Sequence, residues 1–296
     1  MNDLKIQKFL FSGICFLLIC IASCEEPQAP PIIGCTDIEA SNYNPLAGEI
    51  SEDCLYANSE GLIWQDEFNG GKIDTTKWIH ETGNGDWGWG NGELQYYQPE
   101  NTYVGEGTAK ISAREESMGG YNYTSSRIKT DGLFSFRYGR VQARMRTMNG
   151  QGFWPAFWML PSGGDWPCDG EIDIMEQWGN NGITNQTTGA AHIGNCPFSP
   201  GQHVYKNFHT TISEGSYADD FHVYEVRWEE DKIEWYVDDM KKYQIIPSMY
   251  PPQYLWPFNS GQWYLILNLA ITSSGPSSIT EFPTQIEIDW VRVYEN

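Results

Sequence analysis

The chain has 296 residues, a formal net charge of −21 and 19% charged residues. The length suits one large domain with a small appendage, the acidity excludes nucleic acid as a partner, and the modest charge content excludes a disordered chain. Aromatic residues reach 15%, including 13 Trp and 17 Tyr; most of such an excess belongs in a core, but tryptophan also offers flat apolar faces to sugar rings.

The first residues read as a targeting segment. Lys5 and Lys8 precede an apolar run from Phe9 to Ile21, the pattern of a secretory signal and too short for a spanning helix. Ile21-Ala22-Ser23-Cys24 resembles the lipobox of bacterial lipoproteins. Residues 1–23 are therefore expected to be a lipoprotein signal peptide, with Cys24 lipidated. The product would be an exported lipoprotein of the bacterial outer membrane, on the cell surface, touching the membrane through its anchor alone. A simple cleaved signal is the alternative. Removing Cys15 and Cys20 with the signal, and Cys24 to the lipid, leaves Cys35, Cys54, Cys168 and Cys196. An even remainder in an exported protein suggests two disulfides, and sequence proximity favours Cys35–Cys54 and Cys168–Cys196 among three possible pairings. A metal site is the rival reading, but no Cys-x-x-Cys or His pair at ligand spacing supports it. Residues 24–34, with Pro27, Pro30 and Pro31, read as a stiff linker, and residues 35–56 as a small Cys-bounded spacer module. Asn42-Tyr43-Asn44-Pro45 within that module is a turn signal.

The main domain, residues 57–296, has a different texture from Leu62 onward. Short runs rich in Ile, Val, Tyr and Trp alternate with Gly, Asn, Asp and Ser. Strands are expected at Thr108–Ala113, Ser125–Thr130, Gly139–Thr147, Phe153–Leu160, Phe221–Trp228, Lys232–Val237, Trp263–Ile271 and Gln285–Tyr294. No sustained helical period occurs outside the signal. The expected class is all-β, a sandwich or jelly roll.

Within this domain, Glu171-Ile172-Asp173-Ile174-Met175-Glu176 alternates acid and aliphatic residues. That is the period of a strand with one acidic face and one core face. A regular strand would turn Glu176 to the core; a β-bulge at Ile174-Met175 returns it to the acidic face. Three neighbouring carboxylates repel one another, so a solvated strand gains nothing from them. A chance charge cluster is one reading. Glycosidic chemistry is the other, because it needs two carboxyl groups in different protonation states, about 5–5.5 Å apart when configuration is retained. Crowding supplies the difference, since like charges keep one carboxyl protonated near neutrality. Trp154 and Trp158 share a strand face, Trp166 and Trp178 bracket the acidic strand, and Trp87 and Trp89 lie in a glycine-rich loop. Singly, each is more at home in a core; together they suit a sugar cleft.

With these residues in view the chain resembles glycoside hydrolase family 16, and within it the laminarinase-like endo-β-1,3-glucanases. The resemblance is carried by Trp64–Gly70, Trp89–Tyr97, Tyr123–Ile128, Tyr138–Arg140, Gly152–Leu160, Gly170–Glu176, Phe221–Trp228, Leu265–Ala270 and Ile288–Tyr294. It implies a jelly-roll β-sandwich of two antiparallel sheets with a concave substrate cleft, and a retaining endo-hydrolase of laminarin-like β-1,3-glucan, extending to mixed-linked β-1,3/1,4-glucan. It further implies Glu171 as nucleophile, Glu176 as general acid/base and Asp173 as assisting carboxylate. Trp154 and Trp158 become sugar platforms, and Asn91, Glu93 and Arg127 cleft hydrogen-bonders on the non-reducing side. Trp166 is counted with the substrate-binding residues. His192 matches a cleft histidine, although Ala190-Ala191-His192-Ile193 departs from the usual context, which leaves a structural histidine as the alternative. No catalytic cofactor is implied. A structural calcium is, with Glu67 and Asp289 matching its carboxylate ligands. The chain is read as a monomer whose partner is polysaccharide. Hydrolysis of an algal galactan (agarose or porphyran), transglycosylation and non-catalytic glucan binding are the competing functions.

Overall fold

A computed structural model describes residues 33–36, 44–47, 49–50, 60–179, 185–196, 199–278 and 280–296. The expected signal peptide, Cys24 and Cys54 lie outside the described residues. Cys35 is buried and disulfide-bonded. The described strands, in chain order, are β1 (Ile33–Gly34), β2 (Glu49–Ile50), β3 (Leu62–Asp66), β4 (Ile79–Glu81), β5 (Gln95–Tyr97), β6 (Thr102–Gly105), β7 (Thr108–Ala113), β8 (Tyr123–Ser125), β9 (Arg127–Lys129), β10 (Gly139–Arg146), β11 (Phe153–Pro161), β12 (Glu171–Glu176), β13 (Gln186–Asn195), β14 (Ser199–Thr211), β15 (His222–Glu229), β16 (Lys232–Val237), β17 (Met240–Ile245), β18 (Trp263–Ile271) and β19 (Thr284–Tyr294).

Two large antiparallel sheets share one core, the jelly-roll sandwich expected from the sequence. One runs β17-β16-β15-β10-β19-β7-β6, with β3 also paired to β19. The other runs β14-β13-β12-β11-β18-β9-β4. The alternation that makes each strand also sets its facing. In β11, Phe153, Phe157 and Met159 are fully buried between the sheets, while Trp154 and Trp158 are half-buried on the opposite face. Four tryptophans, Trp78, Trp228, Trp235 and Trp263, are wholly buried. The arginine-bearing face of β10 is the outer face of the first sheet: Arg140, Arg144 and Arg146 alternate with buried Val141, Ala143 and Met145.

Three expected strands, β7, β16 and β18, agree with the sequence reading at both ends. The run expected at Ser125–Thr130 is instead two strands broken at Ser126. The chain changes partner there: β8 pairs in parallel with β5, whereas β9 joins the second sheet between β18 and β4. The long β13–β14 ladder was not anticipated, because Gly189, Gly194, Pro200 and Gly201 interrupt its apolar period. Pairing along ten residues stabilises it in place of side-chain alternation.

Candidate active site

The acidic strand β12 sits near the middle of the second sheet, between β11 and β13. Its register slips on both sides. Against β11, Trp158 pairs with Asp173 but Phe157 pairs with Met175. Against β13, Asp173 faces Ala190 and Glu176 faces Thr188, so Ile174 and Met175 together oppose only Gly189. The bulge falls at the expected pair and is held from beneath. The indole N–H of Trp235, on β16 of the other sheet, donates to the Asp173 carbonyl at 2.8 Å. Gly189 makes room for that indole: a Cβ there would lie 2.6 Å from Trp235 Cδ1 and 2.7 Å from Phe208 Cε1. Ile174 and Met175 both pack into the core, at 2% and 0% exposure, which places the acids on the outer face.

Each carboxylate there has a distinct environment. Burial, then the charge of Asp173, raises the Glu171 carboxyl well above its ordinary value, with His192 opposing. Burial pushes Asp173 up to about 8. Burial, then Asp173, pushes Glu176 up to about 8 as well, against a lowering hydrogen bond from Trp154. Trp154 Nε1 donates to Glu176 Oε1 at 2.8 Å. His192, opposite Glu171 on β13, places its Nε2 3.2 Å from Asp173 Oδ2 and 3.9 Å from Glu171 Oε1. Ligand-capable atoms of Glu171, Asp173 and His192 all lie within 4.8 Å of one another. Repulsion in so tight a group leaves a proton on at least one acid near neutral pH.

The remaining expected residues flank this centre across the sheet. On the β11 side, Trp154 has one ring face covered by Trp178, at a 4.0 Å centroid distance. Trp158 Nε1 donates to Asn268 Oδ1 at 2.7 Å. The Arg127 guanidinium is sandwiched between the Trp89 and Trp158 rings, 4.4 and 4.8 Å from their centroids, and is ion-paired with Glu81. Glu93 is nearly buried and accepts hydrogen bonds from Asn91 at 3.1 Å, Gln95 at 2.6 Å and Tyr97 at 3.2 Å. Arg127 and Glu93 therefore brace the rings and the loop around them, while Asn91 is exposed. That loop coils through left-handed residues, Trp87 to Gly90. Gly88 is required there, since a Cβ would meet Glu93 N at 2.2 Å. On the β13 side, Cys168 and Cys196 form a disulfide, and Trp166 projects with 54% exposure.

The sequence matches the profile of Glycosyl hydrolases family 16 over residues 86–292. The chain belongs to this family. It is 38% identical over 262 residues to glucan endo-1,3-beta-glucosidase A1 of Niallia circulans, covering 79% of this chain and 38% of that protein. It is 37% identical over 260 residues to a beta-glucanase of Rhodothermus marinus, covering 79% of this chain and 84% of that protein. Among solved structures, the laminarinase catalytic domain of Thermotoga maritima superposes with a TM-score of 0.71 at 38% identity, covering 79% of this chain and 98% of that one.

The two carboxylates expected at a calcium site are paired with arginines in this family 16 chain. The Glu67 carboxylate accepts two bonds from Arg292, both at 2.8 Å, and Asp289 is ion-paired with Arg144. Each carboxylate is neutralised by a guanidinium, so these side chains do not fit a divalent cation as its charged ligands. Other site residues went unnoticed in the sequence. Asn268, Tyr97, Gln95 and Glu81 are polar residues inside otherwise ordinary strands or loops. Trp235 reaches the site from the opposite sheet, which no local pattern reveals. A buried Asn in the apolar run Leu265–Ile271 was the one available signal, because buried amides need partners.

Proposed function

We propose that the chain cleaves internal β-1,3 linkages of laminarin-like glucans with retention of configuration, and mixed-linked β-1,3/1,4-glucan as a secondary substrate. One observation carries this reading: the bulged strand gathers Glu171, Asp173 and Glu176 on one face beside Trp154 and Trp158. The names of the relatives support glucan as the polymer. In the first step the Glu171 carboxylate attacks the anomeric carbon while Glu176 gives its proton to the departing glycosidic oxygen. In the second, the Glu176 carboxylate takes a proton from water, whose oxygen attacks the same carbon and frees Glu171. Glu176 is suited to the first step because burial and Asp173 keep it protonated up to about pH 8. The nucleophile must be ionised, and His192 and Arg127 favour the Glu171 anion against burial and the charge of Asp173. Ester formation on Glu171 then removes a like charge from the cluster, which favours ionised Glu176 for the second step. The side of the face bearing Trp158, Asn91 and the braced Arg127 and Glu93 receives the non-reducing segment. The calcium is left out of this reading. The lipidated Cys24 and the outer-membrane surface location remain part of it, supported by the sequence of residues 1–34 and by the polymeric substrate, and the chain is taken to act as a monomer.

The test is reducing-sugar release from laminarin, mixed-linked glucan, agar and porphyran by the chain and by its Glu171→Ser variant. Release from laminarin that the variant loses supports the reading. Release from agar or porphyran alone moves the substrate to a galactan, and equal turnover by the variant removes Glu171 from the chemistry.

A further inference from the structure

Past Glu176 the chain leaves β12 but stays on β11. Gln177 N donates to Pro155 O at 3.2 Å and Gly179 N to Phe153 O at 2.9 Å, while Gly152 N donates to Gly179 O at 3.0 Å. These bonds continue the register that sets Ala156 opposite Glu176, so Trp178 stands opposite Trp154. Hydrogen bonds flank that pair on both sides, which makes it the non-hydrogen-bonded kind, in which cross-strand side chains come closest. The two rings stack, with centroids 4.0 Å apart and planes 27° from parallel. Gln177 is buried and Trp178 is exposed, so the Trp178 indole lies on the face that carries Glu176. The backbone beneath it is set without its side chain: a Cβ on Gly179 would lie 2.7 Å from Phe153 O and 2.8 Å from Gly150 O, and glycine is what lets the chains come so close. Trp154 joins this stack to the chemistry. Its indole N–H donates to Glu176 Oε1 at 2.8 Å, a diagonal reach across the ladder. The other groups that face Glu176 are Asp173 and Glu171 on its own strand, and His192 and Thr188 on β13. Of all these, Trp154 is the one held from behind by Trp178.

An indole has a single N–H, whose direction turns with the ring. The outer side-chain torsion of tryptophan is soft, so an indole with two free faces swings at little cost, whereas one stacked against a second ring is held in plane. We propose that Trp178 is a positioning residue that clamps the Trp154 indole and keeps its N–H on the Glu176 carboxylate. The clamp rests on the glucanase reading above for the role of Glu176, and adds a residue to which that reading gives no part. It matters most in the second step. There the bond favours ionised Glu176, the form that takes a proton from water. It also leaves Trp154 one ring face for sugar, the face away from Trp178.

The experiment records pH profiles of kcat/KM on laminarin for the chain, for Trp178→Ala, Trp178→Phe and Trp154→Phe, and for the Trp154→Phe/Trp178→Ala double variant. Trp178→Ala should move the alkaline limb to higher pH by about 0.5–1 unit, part of what outright loss of a hydrogen bond to a carboxylate would cost. Trp178→Phe, which keeps a stacked ring, should restore most of the shift. Once Trp154 is Phe there is no N–H left to aim, so adding Trp178→Ala should move the limb no further. A limb that stays in place or moves to lower pH in Trp178→Ala overturns the clamp. So does a full second shift in the double variant, because Trp178 would then act on Glu176 without Trp154. A raised KM with the limb unmoved also overturns it, and makes Trp178 a sugar contact instead. If the unaltered chain leaves laminarin intact, the glucanase reading fails, and the same profiles on the polymer it does cleave decide the role of Trp178. Cleavage of no polymer overturns both.

Discussion

At the scale of single residues, the protonation of Glu176 follows from neighbours that pull in opposite directions. Burial and Asp173 raise it to about 8, and the Trp154 N–H lowers it by favouring the anion. Activity that needs a protonated Glu176 should therefore fall as pH rises through about 8. Asp173→Asn removes a negative neighbour, so the alkaline limb of the kcat/KM profile should move to lower pH. Trp154→Phe removes a bond to the anion, so the limb should move to higher pH. Both shifts are read from pH profiles of kcat/KM on laminarin, and two shifts of the same sign would contradict this electrostatic account. Glu176→Gln should cost about 10²–10⁴-fold in turnover, the usual contribution of a general acid, and abolish the alkaline limb.

At the scale of the element, the catalytic strand depends on a bulge that its own sequence only half specifies. The alternation of acids and aliphatics in 171–176 shows that Glu176 needs one extra residue to rejoin the acidic face. What holds the extra residue is Trp235 on the opposite sheet, with Gly189 clearing its path. Trp235→Phe leaves the buried Asp173 carbonyl without its donor and should cost about 1–3 kcal/mol in unfolding free energy. Gly189→Ala forces a methyl against Trp235 and Phe208 and should cost a similar amount, about 1–3 kcal/mol. Both should lower kcat on laminarin more than they raise KM, because they misplace Glu176 without touching the sugar platforms. Denaturant unfolding and steady-state kinetics on the same variants check the two halves of this expectation. Deleting Met175 is harsher: it removes the bulge and should abolish activity unless the strand re-registers.

The whole molecule binds these parts together, and it is where sequence reading was strongest and weakest. The two-sheet sandwich was legible because strands such as Lys232–Val237 and Trp263–Ile271 are short, mostly apolar or aromatic runs between turn residues. The acidic face was legible because carboxylates in a buried strand have few other uses. The Tyr97–Asn268 bond and the Trp235 prop were not, since each joins residues distant in sequence that meet only in the assembled fold. The arginine partners of the expected calcium ligands were hidden for the same reason: Arg292 and Arg144 meet Glu67 and Asp289 only once the first sheet is assembled. Stability also belongs to this scale. Glu176 and Asp173 sit near 8 in the fold, against ordinary values of 4.5 and 3.8. Protonation of the raised groups favours the folded state, so their contribution is full below about pH 4 and is lost as pH rises through about 8. The melting temperature should accordingly fall between about pH 5 and pH 9, and Glu176→Gln should flatten that fall, as thermal denaturation at both pH values would show.

The central claim is that Glu171 attacks sugar directly while Glu176, returned to the same face by the bulge, acts as acid and then base. Proton NMR of the anomeric region during cleavage of laminarihexaose reads this directly. The expected result is that the new reducing end appears first as the β-anomer and only later equilibrates with the α-anomer. First appearance of the α-anomer would mean inversion by a water held between the carboxylates, and would contradict the account.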